Sequence, residues 1–370
     1  MKMKAVRKIK PELGAELVEL DMPKILPDWV LVKVRATSIC GTDVHIYKWD
    51  DWSKNRIGEK KLPQTLGHEV AGEVIEVGPH CKRIKIGDYI SAETHIYDPG
   101  DLTALLCEFH VGEHMKILGV DYDGAFAEYF AIPESVCWIN DKSIPPEFAT
   151  IQEPLGNATY AVLGEDNDVA GKTMVITGDG PISLFAIGVA RACGVAKIIH
   201  LGKYDYNMEI GKKMGADFQI WTNKTKPEER LKTVKELTNG NGVDIALEMV
   251  GSEDSIVDCF KMVRRAGRVT AFGIAPQSPL PFGFDYNNGI IFKGCQIHGI
   301  NGRKIFDTWY RVRNLLASNR LDPSPVITDM FTLDDYKKGF DKMLARPRAS
   351  AKVVLFPDKN ELEQAKKRQK

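Results

Sequence analysis

The alternation of strand-like and helical segments from about Gly171 onward constrains the fold more than any other feature of the sequence. Short apolar runs alternate there with longer stretches of helical periodicity. The pattern predicts strands at 173–177, 197–201, 243–248 and 268–272, and helices at 181–193 and 209–214. Parallel strands joined by crossover helices produce this alternation, so the sequence predicts an α/β architecture with a doubly wound parallel sheet.

The first half of the chain has a different pattern. Its apolar residues form short β-type runs, such as 29–34 and 69–77, separated by glycine and proline. A chain of 370 residues is also long enough for two domains with separate cores. We therefore expect a mainly β domain before the α/β domain. The charged tail, 358–370, is expected to be a frayed helix or a solvated end.

Charge and hydropathy limit the possible partners. Lysine and arginine together number 50, as do aspartate and glutamate, so no net field concentrates nucleic acid or an anionic membrane at the surface. The basic start lacks the apolar core of a secretory signal, and no apolar run reaches the length of a membrane span. The sequence favours a cytoplasmic protein that binds a small molecule, with neither nucleic acid nor a membrane as partner.

A glycine-rich turn follows the first predicted strand of the α/β region. Gly178 and Gly180 precede Pro181, which opens the next predicted helix. Glycine permits a tight turn and lets the backbone approach a pyrophosphate, to which the helix N-terminus presents unpaired N–H groups. Ser183 replaces the third glycine of the usual motif. This context favours a dinucleotide site over the alternative, an ordinary strand-to-helix turn.

The end of the second predicted strand bears on the choice of cofactor. An acidic residue is expected there to bind the ribose hydroxyls, but the strand is followed by Gly202 and Lys203. Loss of the carboxylate removes repulsion of a ribose 2′-phosphate, and Lys203 offers it a positive partner. The pattern leans toward NADP. NAD stays open, because a shifted loop could present Asp205 instead.

Four side chains of the first half are of the types that bind zinc. They are a thiol, an imidazole and two carboxylates, on Cys40, His68, Glu69 and Glu153. Three such ligands would leave an open position for water or substrate. Each residue also has an ordinary alternative, since a lone cysteine is commonly buried, a lone histidine structural and a glutamate exposed. Spacing alone leaves both interpretations open.

Several segments resemble the zinc-dependent medium-chain alcohol dehydrogenases. The residues GHE at 67–69 and ICGTD at 39–43 are typical of the whole family. The longer segments ICGTDVHIY at 39–47 and GINGRKIFDTWY at 299–310 are similar to its threonine dehydrogenase branch. The resemblance extends over almost the whole chain.

The resemblance implies a domain organisation and an assembly. Residues 1–157, completed by 299–370, would form a GroES-like, mainly β catalytic domain, and residues 158–298 would form a Rossmann dinucleotide-binding domain. A homotetramer is usual in this family. The implied cofactors are one catalytic zinc ion and either NAD or NADP.

The resemblance also assigns the metal ligands. Cys40, His68 and Glu69 match the catalytic zinc ligands, and Glu153 matches an acidic residue near the metal that supports proton movement. A thiolate and one carboxylate already cancel the formal charge of zinc, and a second carboxylate ligand would blunt its acidity. We therefore expect Glu153 to act mainly from outside the ligand set, or to exchange with substrate.

Other matching positions carry the remaining roles. Thr42 and His45 match a proton-relay pair, in which a hydroxyl passes the proton to an imidazole that exchanges it with solvent. His95 matches a residue of the substrate pocket. The positions that match cofactor contacts are Ile182, Phe272, Gly273, Ile274, Ile300 and Asn301.

Two features depart from the family pattern. The ribose-binding aspartate and the arginine after it fall at Gly202 and Asn207. The four cysteines that usually hold a structural zinc fall at Asp98, Asp101, Ala104 and Gly112. Two of these positions offer no ligand atom, so we expect no second zinc of the usual type. Three nearby residues could suit a metal, although surface or capping roles are favoured: Cys107, His110 and His114.

The resemblance implies oxidation of a secondary alcohol, with zinc lowering the pKa of the substrate hydroxyl before a hydride leaves for the nicotinamide. L-threonine, giving L-2-amino-3-oxobutanoate, is the first candidate substrate. A polyol, inositol or sugar dehydrogenase of the sorbitol dehydrogenase type is the alternative. A non-catalytic dinucleotide sensor with the same fold is an alternative of another class.

Overall fold

The computed structural model describes residues 2–275 and 283–369. The N-terminal half consists mainly of strands, with short helices between some of them. The strands are β1 Lys2–Lys8, β2 Glu16–Asp21, β3 Trp29–Ile39, β4 Gln64–Thr65, β5 Glu69–Val77, β6 Tyr89–Ala92, β7 His95–Ile96, β8 Lys116–Ile117, β9 Tyr129–Pro133 and β10 Cys137–Ile139. The helices are α1 Gly41–Lys48, α2 Asp51–Arg56, α3 Leu102–Leu105, α4 Pro146–Thr150 and α5 Gln152–Leu163.

A parallel sheet follows, as the alternating pattern predicts. Its elements are β11 Thr173–Thr177, α6 Pro181–Ala192, β12 Lys197–Gly202, α7 Asp205–Lys213, β13 Phe218–Trp221, α8 Pro227–Leu237, β14 Val243–Glu248, α9 Glu253–Met262, β15 Val263–Ala271 and β16 Gln296–Gly299. The strand order is β13-β12-β11-β14-β15-β16. The order reverses between β11 and β14, and such a switch point opens a crevice at the carboxyl ends of the strands.

The C-terminal segment returns to the N-terminal strands. Its elements are α10 Asp307–Ala317, β17 Ile327–Thr332, α11 Tyr336–Leu344, β18 Lys352–Phe356 and α12 Lys359–Arg368. β18 pairs antiparallel with β3, and both lie in a seven-stranded sheet with the order β10-β6-β5-β3-β18-β17, in which β9 also pairs with β3. The boundary expected at 157/158 falls inside α5, which is buried along its whole length. The exact domain limits stay a prediction.

The C-terminal tail corrects one expectation. Residues 359–368 form the helix α12, which packs against the protein through the buried Leu362 and Ala365, while its opposite face is exposed to solvent. Arg368 also pairs with Glu147 of α4 at 2.7 Å. The sequence of this segment is highly charged, so its narrow apolar face, formed by Leu362 and Ala365 three residues apart, is hard to recognise. Among the described helices, none is long and apolar enough to cross a bilayer.

Candidate active site

A thiol, an imidazole and a carboxylate converge between two paired strands. Cys40 lies between the end of β3 and the start of α1, while His68 and Glu69 stand at the start of β5. Antiparallel pairing of these strands places Ser38 opposite Glu69. Potential ligand atoms of Cys40, His68 and Glu69 lie within 4.8 Å of one another, and this is the one such group found among the described residues.

The donor set fits zinc. Ligand atoms of a tetrahedral zinc ion stand about 3.5 Å apart, so small side-chain rotations would close the observed cluster. His68 and Glu69 are buried, whereas Cys40 is half-buried and leaves the cluster open on its side. His68 Nδ1 is buried without a hydrogen-bond partner among the described residues. Three mixed ligands with one open side suit a catalytic zinc rather than a structural one.

Asp43 fixes the backbone next to Cys40 and His68. Its carboxylate accepts the backbone N–H of Cys40 at 2.9 Å and that of Gly67 at 3.0 Å, so it fixes both ligand-bearing turns. Its Oδ1 also lies 3.7 Å from Nδ1 of His68. Burial lowers the pKa of His68, but Asp43, Cys40 and Glu153 outweigh burial and raise it to about 10. The surroundings therefore favour a cation at this position.

Glu69 is held by a lysine from the C-terminal segment. Both carboxylate oxygens lie within 2.8 Å of Nζ of Lys352, and Ser38 also donates to Glu69. Lys352 further donates to the carbonyl of Ile39 at 3.2 Å. Both Glu69 and Lys352 are fully buried. The carboxylate that sequence reasoning assigns to zinc thus has a competing cation.

Glu153 lies near the cluster but outside the group of closest ligand atoms. Its Oε1 accepts a hydrogen bond from Arg303 at 2.6 Å, and its Oε2 is buried without a partner among the described residues. Arg303 is 1% exposed and also donates to Glu93 and Asn157. One oxygen of Glu153 is therefore fixed, while the other is available to a ligand.

The candidate relay pair lies on one face of α1. Thr42 Oγ1 is 4.0 Å from Sγ of Cys40, and His45 follows one turn later at the surface. Nδ1 of His45 lies 2.5 Å from Oδ2 of Asp50, which also caps α2. Residues three apart on a helix are neighbours, so this face leads from the half-buried thiol to solvent.

His95 is enclosed by Glu93 and Gly302. It is 7% exposed, its backbone N–H donates to Glu93, and a Cβ placed on Gly302 would lie 2.1 Å from its ring. Burial, together with Arg303 and His68, holds the pKa of His95 well below its usual value. The imidazole is therefore neutral and able to act as a hydrogen-bond donor or acceptor.

The glycine turn lies at the switch point of the parallel sheet. Gly178 has a φ of 90° and donates its N–H to the carbonyl of Leu201, so the turn needs glycine there. Gly180 is the N-cap of α6 and Pro181 is its first residue; Ile182 follows. A 650 Å³ cleft lined by Gly178, Gly202 and Lys203 opens beside the turn.

The other candidate cofactor residues follow neighbouring strands. Phe272, Gly273 and Ile274 come directly after β15, and Ile300 and Asn301 come directly after β16. Parallel pairing brings these two strand ends together, since Ala271 pairs with Gly299. Arg303, which follows the loop after β16, binds Glu153 at 2.6 Å, and the charge of Glu153 raises the pKa of His68. This loop therefore lies near the metal cluster. The glycine turn and these loops share the same edge of the sheet.

Two family models match the chain. One, described as an alcohol dehydrogenase GroES-like domain, covers residues 26–141, and the other, described as a zinc-binding dehydrogenase, covers residues 181–318. A protein named L-threonine 3-dehydrogenase from Pyrococcus abyssi is 46% identical over 356 residues, which are 96% of this chain and 99% of the relative. The chain belongs to the zinc-dependent medium-chain alcohol dehydrogenases.

Solved structures of other dehydrogenases have the same fold. The 2R,3R-butanediol dehydrogenase of Bacillus subtilis is 26% identical, with a TM-score of 0.85 over 96% of this chain and 100% of that one. A zinc-binding dehydrogenase of Sinorhizobium meliloti 1021 bound to NADP has a TM-score of 0.84 over 96% of this chain and 100% of that one; at 22% identity it shows the fold alone. The predicted family, fold class and oxidoreductase activity on alcohols are confirmed.

This dehydrogenase holds its lobe around residues 98–114 by hydrogen bonds. Asp101 accepts the backbone N–H of His114 at 3.0 Å and contacts its ring at 2.5 Å. Ala104 and Gly112 occupy two of the remaining cysteine positions, and Asp98 accepts the N–H of Gly100. His110 is buried and Cys107 is exposed, and neither joins a metal-binding group among the described residues.

Sequence reasoning missed several residues of this dehydrogenase's site. Lys352 and Arg303 give no local signal, because each becomes relevant only through pairing with a carboxylate far away in the chain. Asp43 could have been found, since it stands three residues after Cys40 at a helix start, where an acidic side chain reaches back to the backbone. Asp50 likewise follows His45 by five residues.

Proposed function

We propose that this zinc-dependent dehydrogenase oxidises the secondary hydroxyl of L-threonine to L-2-amino-3-oxobutanoate with a nicotinamide dinucleotide. The observation that carries the proposal is the convergence of Cys40, His68 and Glu69 into one potential metal-binding group, in a chain whose parallel sheet has a glycine turn at its switch point. The substrate is inferred from the relative that is 46% identical over nearly the full chain. Zinc held there would polarise the hydroxyl and lower its pKa.

Thr42 and His45 would remove the proton of the substrate hydroxyl. The hydroxyl of Thr42 lies 4.0 Å from the Cys40 thiol, and it can rotate to pass a proton along α1. His45 is exposed, so it can exchange this proton with solvent. Asp50 orients the ring by binding Nδ1, which leaves Nε2 as the nitrogen available on the other side.

Glu153 and His95 would bind polar groups of the substrate. Arg303 fixes one oxygen of Glu153, and the unpartnered Oε2 is free to accept a hydrogen bond from an ammonium group or a hydroxyl. His95 is neutral and enclosed between Glu93 and Gly302. An amino alcohol offers donors that match both groups, whereas a simple alkanol would leave Oε2 unpaired.

The cofactor would lie along the carboxyl edge of the parallel sheet. Its pyrophosphate would meet Gly178, Gly180, Pro181 and the N-terminus of α6, where N–H groups are unpaired. The adenosine would extend toward Gly202 and Lys203. The nicotinamide would reach the loops after β15 and β16, with six proposed contacts: Ile182, Phe272, Gly273, Ile274, Ile300 and Asn301.

A substrate matrix on zinc-loaded protein tests the proposal. L-threonine, sorbitol, myo-inositol and 2,3-butanediol are each assayed with NAD and NADP, and zinc is measured in the same sample. We expect the highest kcat/KM with L-threonine. Preference for sorbitol or inositol would favour the polyol alternative, and cofactor binding without turnover of any alcohol would favour the sensor.

Matched variants connect this activity to the site. Glu153→Gln keeps the shape and the hydrogen-bonding atoms but removes a charge that an ammonium group would contact, so its loss of kcat/KM should be larger for L-threonine than for 2,3-butanediol. Glu165→Gln is the control, because Glu165 pairs with Lys304 at the surface, and Lys304 is next to Arg303 in the sequence. Equal losses for both substrates with Glu153→Gln would contradict the assignment of the amino group.

The assembly and the location stay predictions. We propose a homotetramer, and one surface supports association: the edge strand β16 exposes Ile297, and the segment before it exposes Ile291 and Phe292. Exposed apolar side chains on an unpaired strand edge favour pairing with a second chain. Mass measurement in solution tests the tetramer, and fractionation of cells tests the expected cytoplasmic location.

A further inference from the structure

The glycine turn contains an acidic residue that reaches the second strand of the parallel sheet. Asp179 stands between Gly178 and Gly180 and is 8% exposed. Its Oδ2 accepts the backbone N–H of Lys203 at 2.8 Å and that of Tyr204 at 2.7 Å. Lys203 and Tyr204 are the first two residues after β12. The acidic residue that binds ribose in this fold usually lies at this end of the second strand.

Gly202 cannot supply that acidic side chain. A Cβ placed on Gly202 would lie 2.3 Å from Sδ of Met208 and 3.1 Å from Cβ of Asp179. No side chain fits at the end of β12 without displacing these groups. Asp179 and Met208 therefore occupy the space beside Gly202 that the sequence suggested for a 2′-phosphate. This chain lacks the family's aspartate at position 202 but has an aspartate at position 179.

One oxygen of Asp179 is available to a ligand. The two backbone N–H groups bind Oδ2, whereas Oδ1 has no hydrogen-bond partner among the described residues. Asp179 lines the 650 Å³ cleft together with Gly202 and Lys203. Asn207 anchors the same turn by donating to the carbonyl of Asp179 at 2.8 Å. The carboxylate is thus held in one orientation at the edge of the cleft.

We propose that Asp179 binds the adenosine ribose hydroxyls of the cofactor and makes this dehydrogenase prefer NAD to NADP. The inference rests on the proposed function, since it needs a dinucleotide in this cleft. A ribose diol donates hydrogen bonds to a carboxylate oxygen. A 2′-phosphate has no proton to donate to that oxygen and would place like charges together in a largely buried position.

The cations near the cleft do not reverse this preference. The ammonium group of Lys203 lies 5.7 Å from the centre of the Tyr204 ring, and Lys203 is exposed, so water and salt screen its charge. Nη1 of Arg348 lies 3.8 Å from the Cβ position of Gly180. Arg348 therefore stands beside the α6 N-terminus, where the pyrophosphate common to both cofactors is expected. Lys226 and Arg230 also line the cleft, but Arg230 pairs with Asp258 at 2.7 Å and Lys226 is exposed to solvent. Asp179 is therefore the buried charge that would distinguish a hydroxyl from a phosphate at the ribose.

Calorimetric titration with NAD and with NADP tests the inference without relying on turnover. The wild-type protein should bind NAD about 100-fold more tightly than NADP, since a charged hydrogen bond is exchanged for a repulsion. Asp179→Asn retains an oxygen for the two backbone N–H groups and removes the charge. It should reduce the ratio of the two dissociation constants about tenfold or more, with NADP binding improved.

Asp205→Asn is the matched control. Asp205 follows the same loop, but its carboxylate binds Nε1 of Trp221 and Nζ of Lys224 away from the cleft, so the ratio should not change. Tighter binding of NADP than NAD by the wild-type protein overturns the inference even if Asp179→Asn fails to fold. An unchanged ratio in a folded Asp179→Asn protein also overturns it. Failure of both cofactors to bind would instead refute the proposed function.

Discussion

Replacing Lys352 by methionine tests how the buried Glu69 carboxylate is balanced. Nζ of Lys352 lies 2.8 and 2.7 Å from the two oxygens of Glu69, and both residues are at most 1% exposed. Burial opposes the ammonium charge, but Glu69 and Cys40 outweigh burial and raise the pKa of Lys352. Methionine has a similar volume but no charge, so Lys352→Met leaves a buried carboxylate without its cation.

We expect Lys352→Met to lower the free energy of unfolding of the zinc-free protein by a large amount. Removing one partner of a buried pair costs about 3–5 kcal/mol, because the remaining charge stays buried and uncompensated. For a domain of 150–250 residues, 1 kcal/mol lowers Tm by about 2–4 °C, so we expect a decrease of about 6–20 °C. Zinc would restore part of this loss, because the released carboxylate of Glu69 could then bind the metal beside Cys40 and His68.

Thermal and urea unfolding of the zinc-free and zinc-loaded proteins measure both effects. Lys338→Met is the control: Lys338 forms an exposed pair with Asp335, so it should cost less than about 1 kcal/mol. Adding Glu69→Gln to Lys352→Met should recover stability in the zinc-free protein. An equal loss with and without zinc would refute the idea that Glu69 can turn from the lysine to the metal.

Three further tests probe other parts of the molecule. His45→Ala should lower kcat about 100-fold or more with zinc retained, whereas Cys40→Ser should lose zinc and activity together; equal zinc loss in both would contradict the relay. Arg303→Met should cost about 3–5 kcal/mol in urea unfolding, against less than about 1 kcal/mol for the exposed Arg311→Met. Asp121 binds Arg56 and Lys61, which outweigh burial and lower its pKa below the unfolded value of 3.8. Asp121→Asn should therefore cost about 1–3 kcal/mol at pH 7, and the difference from wild type should shrink as pH falls below about 4. A difference that grows in acid would contradict this assignment.

Local patterns were enough to predict the parallel sheet. β11 was predicted with its observed limits, and the turn at Gly178 to Pro181 was predicted to join it to α6. Both depend on residues adjacent in sequence: β-branched residues in the strand, glycine where φ is positive, and proline at the first helical position. The predicted strand at 268–272 was less accurate, because β15 begins at Val263.

Contacts between distant segments could not be predicted in the same way. Lys352 meets Glu69 because β18 and β5 both flank β3, and nothing near either residue encodes that order. The resemblance to known dehydrogenases named candidate ligands, but it gave no partner for them. Asp179 shows the same limit at the cofactor cleft. The sequence suggested open space at Gly202, whereas the side chain of Asp179, which follows β11, lies there.

The charges around the candidate zinc site favour a metal ion in addition to the protein's own cations. Carboxylates of Asp43, Glu69 and Glu153 lie near His68 and Cys40, and the C-terminal segment supplies Lys352, which pairs with Glu69. Arg303 is shared between Glu153 and Glu93, so it cannot fully compensate both. Asp43, Cys40 and Glu153 outweigh burial and raise the pKa of His68 to about 10, so these surroundings favour positive charge at the imidazole. A divalent ion would supply that charge and release the imidazole as a ligand.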